Sequence, residues 1–138
     1  MSLRPRYSTD EGSVVLEVLV LGVGLLVPLL YGAISIMDVE SAQFAATSAA
    51  REAARAYVTA PTVQQATRRA TMAARMVLTD AQRAAIAPKV RCVGGCLIPG
   101  SHVDVTVTIP VALPLIGKSV LSVSATESMP VDRFRSAP

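Results

Sequence analysis

The chain has 138 residues, 51% of them hydrophobic and only 17% charged, with no tryptophan and a formal charge of +3. That length allows one domain, or one domain plus a membrane segment. So much apolar surface excludes a disordered chain, and the slight excess of positive charge does not by itself point to nucleic acid. The mean hydropathy is +0.48, and its excess is concentrated in the first 40 residues.

Residues 1–12 form a short polar leader carrying Arg4, Pro5, Arg6, Asp10 and Glu11. It has no apolar face and is not expected to fold. Residues 13–37 follow as an apolar helix, and residues 18–37 contain no charge at all. At 1.5 Å per residue such a run covers about 30 Å, the thickness of a bilayer's hydrocarbon core. The apolar part of a secretory signal is shorter and ends at an A-x-A-like site, which is missing here. Pro28 lies in the middle of the run, where membrane helices tolerate a kink. Gly22, Gly24 and Gly32 make no G-x-x-x-G motif. Glu17 is the anomaly. A carboxylate at the centre of a span costs roughly 2.5–3.5 kcal/mol, so Glu17 either sits at the water interface or has a task. Arg4 and Arg6 in the leader, against Arg51 as the first basic residue after the span, favour a cytoplasmic N-terminus. Residues 38–138 are then extracytoplasmic.

The helix is expected to continue. Residues 38–57 lack glycine and proline, and Val39, Ala42, Ala46, Ala49, Ala50, Ala53 and Ala56 recur at three- and four-residue steps. Arg51 and Arg55 fall on a solvated side. The two segments together predict one helix of about 45 residues, near 68 Å long. Pro61 suits the first turn of a second helical stretch reaching Ala87, with Val63, Ala66, Ala70, Ala73, Val77 and Leu78 as its apolar side. Thr79 and Gln82 fit a capping box, which divides that stretch near Leu78. Arg68, Arg69, Arg75 and Arg83 make it basic. A solvated face is the expectation, because no aromatic platform for nucleic-acid stacking accompanies the charge.

After Pro88 the pattern becomes β. In residues 102–109 Val103, Val105, Val107 and Ile109 alternate with His102, Asp104, Thr106 and Thr108, as in a half-buried strand. Residues 89–93 provide a partner strand. Leu121, Val123 and Ala125 alternate with Ser122, Ser124 and Thr126 in a third. Residues 110–118 contain Pro110 and Pro114 and are not expected in a central strand. Cys92 and Cys96 flank Val93, Gly94 and Gly95. In an oxidising compartment so close a pair closes as a disulfide, worth about 2 kcal/mol by chain entropy. Free thiols are the alternative. A metal site would need more ligands than His102, the single histidine, can add. The class is α+β: a long N-terminal transmembrane helix continuing into an extramembrane helix, a second helix and a small antiparallel sheet. No nucleophile–base pair, phosphate loop or H-E-x-x-H is present, so neither an enzyme, a cofactor nor a small-molecule substrate is expected.

"GSVVLE", residues 12–17, resembles the class III signal of type IV pilins and pseudopilins. The resemblance implies cleavage by a prepilin peptidase between Gly12 and Ser13, which makes Glu17 the fifth residue of the mature chain, the family's hallmark glutamate. "LLVPLLYG" at residues 25–32, "SAAREAARAY" at residues 48–57 and the late "VDVTVTIPVALPLIGKSVLSVSA" are similar to the TadE-like minor pilins of tight-adherence pilus systems. The likeness covers residues 12–125. Val18 stands where Flp-type pilins usually have tyrosine, which separates the chain from the major Flp pilin. The resemblance implies other pilin subunits, the prepilin peptidase and the pilus assembly platform as partners. It also implies that Glu17 pairs with the new N-terminal amine of a neighbouring subunit. The alternative is an uncleaved single-span membrane protein whose outer domain serves as an interaction module.

Overall fold

A computed structural model describes residues 11–79, 87–112 and 119–135. The elements run α1 (Glu11–Val58), α2 (Val63–Met76), β1 (Lys89–Val93), β2 (His102–Ala112) and β3 (Ser119–Pro130). The expected α+β class is present: a long apolar N-terminal helix, a second helix and a three-stranded antiparallel sheet in the order β1-β2-β3. The chain divides into two compact units, Met1–Ser35 and Ile36–Pro138, and α1 contributes to both.

In the first unit every residue from 14 to 30 is exposed. Pro28 does not end α1, which is a single helical run of 48 residues, close to the expected length. α1 starts at Glu11, slightly ahead of the expected start at residue 13. Residues 1–10 of the expected leader lie outside the described residues.

The second unit is built on small side chains. Ala42, Ala46, Ala49, Ala50, Ala53, Ala54 and Tyr57 of α1 are buried in one cluster with Val103, Val105, Val107, Ile109 and Val111 of β2. The strict alternation of β2 puts these five on one face, as its period of two requires. Alanine on the helix leaves room for the branched valines in that cluster. Ala54 adds to the expected face, whereas Val39 and Ala56 are only partly buried.

α2 adds Ala66, Ala70 and Ala74, and Leu78 follows beyond its end. These four recur at steps of four, a narrow stripe. The expected face needs correction here. Val63 and Val77 are exposed at the two ends of α2, Ala73 is half-buried, and Ala74 takes the inward place. Pro61 also lies outside the first turn, because Thr62 is the N-cap and its Oγ accepts from the Gln65 N–H at 3.3 Å. The proline therefore precedes the cap, where it fixes the chain's entry. The capping box expected at residues 79–82 and the end of the expected second helical stretch fall outside the described residues.

β1 pairs with β2 from Lys89↔Thr106 to Val93↔His102, and β2 pairs with β3 over its whole length. Pro110 is a second correction. It stands inside β2, the central strand, opposite Ser122. The reason is that β1 stops at the level of Thr106, so beyond that residue β2 has only β3 as a partner. A residue without an N–H is tolerated on a stretch with one open flank. Pro114 lies outside the described residues. On the outer face Thr106 and Thr126 share a hydrogen bond at 2.7 Å, and Thr108 and Ser124 one at 2.8 Å. Such cross-strand pairs pin the register of a sheet.

Two arginines tie α1 down. Arg135 donates from Nη1 to the Val58 carbonyl at 2.8 Å and from Nη2 to the Ala60 carbonyl. Carbonyls at a helix C-terminus have no partner of their own, and a guanidinium satisfies them and favours the negative end of the dipole. Arg51 approaches Glu127 of β3 at 3.7 Å. Arg51 is largely exposed, so this pair contributes at most about 1 kcal/mol.

Candidate functional site

Glu17 lies in the exposed apolar part of α1. Its neighbours one turn away, Val14, Val20 and Leu21, are exposed and apolar. No ion pair reaches Glu17 among the described residues; Arg51–Glu127 is the pair present there. The backbone of Gly12 and Ser13 belongs to the first turns of α1. The helix thus presents one carboxylate on a surface of valine, leucine and isoleucine. Residues 14–37 are long and apolar enough to cross a membrane, and none of the most apolar stretch is covered by the rest of the protein. Such a surface is favourable in lipid or against another apolar helix and unfavourable in water. Within either surrounding an unpaired carboxylate is costly, so an ammonium partner would be held strongly and in one register.

Cys92 and Cys96 form a disulfide, with Cα atoms 5.1 Å apart, and no free cysteine is found among the described residues. The bridge closes the end of β1 onto the loop that leads to β2. Gly94 and Gly95 hold positive φ of 82° and 111° within it. At Gly95 a Cβ would also collide with Ile98. Leu97, a non-glycine residue at φ 61°, is buried and pins the loop into the core. Opening the bridge by Cys92→Ala with Cys96→Ala is expected to lower stability by about 2 kcal/mol, because the closed loop is short. Urea unfolding of both chains in detergent micelles, followed by circular dichroism, measures the difference.

Tyr57 reaches the same bridge from α1, its hydroxyl 3.8 Å from Cys92 Sγ. Burial pushes its phenol above the ordinary tyrosine range. His102 is exposed, beside Gly100, Pro130, Val131, Asp132 and Arg133 in a shallow depression. No group of three or more His, Cys, Asp or Glu that could hold a metal ion occurs among the described residues.

Arg68, Arg69 and Arg75 are exposed on α2, while Arg83 falls outside the described residues. The sequence reading overlooked what lies between them. Met72 and Met76 are 62% and 78% exposed. Their position opposite the alanine stripe was legible in the spacing. Arg135 and Glu127 were overlooked as well, and no local pattern marks residues whose partners lie far along the chain.

Comparison with protein-family models, curated proteins and solved structures finds no match to this chain.

Proposed function

We propose that the chain is a TadE-like minor pilin or pseudopilin that acts in assembling, priming or capping a Tad-type pilus. In this reading a prepilin peptidase cuts after Gly12, and residues 13–37 serve as both membrane anchor and assembly helix. Residues 38–138 lie outside the cytoplasm. The observation that carries it is Glu17: a single carboxylate, five residues after Gly12, on an uncovered apolar helix. Cleavage would create an amine on Ser13 and remove Arg4 and Arg6, which could not enter an apolar filament interior cheaply. The exposed apolar helix and the disulfide support an exported, membrane-held protein.

Deletion of the gene is expected to abolish or sharply reduce surface filaments in the native cell, with recovery on complementation. Filaments unchanged in number and length in the deletion strain would contradict the reading. They would favour an uncleaved single-span protein whose outer domain binds partners unrelated to a pilus.

A further inference from the structure

We propose that the outer face of α2 docks on an anionic phospholipid bilayer, with Met72 and Met76 entering the headgroup layer and Arg68, Arg69 and Arg75 meeting lipid phosphates. Ala66, Ala70, Ala74 and Leu78 turn the opposite side of the helix into the core. At 100° per residue Met72 and Met76 lie directly away from that stripe, with Arg68 and Arg75 on one flank and Arg69 on the other. Exposed apolar side chains bordered by arginines suit a membrane interface, where the apolar groups enter and the cations meet the phosphates. α2 itself contains no acidic residue, so the sign of its charge complements an acidic surface. Nucleic acid fits less well, since its bases call for aromatic platforms and not for thioethers. The bilayer has a further advantage over any soluble acidic partner. The apolar part of α1 would hold the chain at a membrane surface, so docking of α2 is an intramolecular step. The inference rests on α1 lying in a bilayer and is independent of processing at Gly12.

The protein has no tryptophan, so Met72→Trp introduces a unique fluorophore. The full chain carrying it would be reconstituted into vesicles of phosphatidylcholine alone and of phosphatidylcholine with phosphatidylglycerol. Flotation of the protein with both vesicles checks separately that α1 is inserted. The expected result is a blue-shifted emission, shielded from acrylamide and quenched by brominated acyl chains, in the anionic vesicles only. High salt should reverse it, since each arginine at an anionic surface contributes about fivefold in affinity at moderate ionic strength. Adding Arg68→Gln, Arg69→Gln and Arg75→Gln should abolish the shift while the circular dichroism spectrum is kept. If that variant does not fold, the salt titration of Met72→Trp alone decides. Water-exposed emission in floated anionic vesicles would overturn the proposal, as would a shift unaffected by salt. Displacement of the fluorophore from the vesicles by duplex DNA at low salt would equally count against it and assign the face to nucleic acid.

Discussion

Glu17→Ala is expected to block pilus assembly while leaving the protein at normal levels in the membrane. The reasoning separates two effects of the carboxylate. For insertion it is a burden, up to roughly 2.5–3.5 kcal/mol at mid-bilayer and less near the interface, so its removal cannot impair membrane entry. For docking it is the charged group on an apolar surface, next to neutral neighbours at Val14, Val20 and Leu21. If it pairs with the Ser13 amine of an adjacent subunit, leaving that amine unpaired costs about 3–5 kcal/mol. That is a loss of more than a hundredfold in subunit docking. Glu17→Gln should fail in the same way, because it keeps shape and hydrogen bonding but not charge, whereas Glu17→Asp should retain part of the function. Filament counts by electron microscopy, set against membrane levels by immunoblot, measure both halves. Normal filaments from Glu17→Ala would place Glu17 among the lipid headgroups and remove its assigned role.

Tyr57→Ala should be the most damaging single truncation in the outer unit. Tyr57 is 2% exposed and is the largest of the fully buried side chains among the described residues. The rest of that core is alanine, valine, leucine and isoleucine, none of which can fill the space of a phenol ring. Truncating a buried aromatic to alanine costs about 3–5 kcal/mol. A domain of this size has only about 5–15 kcal/mol in total, so the variant should lose a large share of its stability, read as a clearly lower urea midpoint. Tyr57→Phe separates ring from hydroxyl. The contact with Cys92 Sγ at 3.8 Å is weak, so phenylalanine should cost under about 1 kcal/mol. The hydroxyl should show itself in alkali instead. The phenol's pKa is raised in the folded state by burial, so the folded chain holds the proton more tightly than the unfolded chain does. The resulting stability is complete below the unfolded value, about pH 10, and is lost as pH rises through the folded one. Tyr57→Phe should therefore flatten the fall in urea midpoint above pH 10, and an unchanged slope would remove Tyr57 as its cause.

The architecture was legible where one periodicity dominates. The uncharged run at residues 18–37, the alanine steps of α1 and the alternation from Val103 to Ile109 each specify one element, and each is present. The reading failed where long-range pairing decides. Pro110 argues locally against a central strand, yet a short β1 leaves its stretch of β2 open on one side. Val63 and Val77 are apolar enough for a core, yet both are exposed, and Ala66, Ala70, Ala74 and Leu78 hold the buried stripe instead. Arg135 caps α1 from 77 residues away, a relation no window along the chain contains. The candidate site shows the same division. The place of Glu17 on an apolar helix is local and was readable, whereas the amine proposed to meet it would belong to another molecule.

The mature N-terminus tests the central claim most directly. Intact-mass spectrometry of the chain purified from its native membrane is expected to find a protein that begins at Ser13 and retains the Cys92–Cys96 bridge. A chain that still carries residues 1–12 would contradict the account, because no amine would then exist at Ser13 for Glu17 to meet.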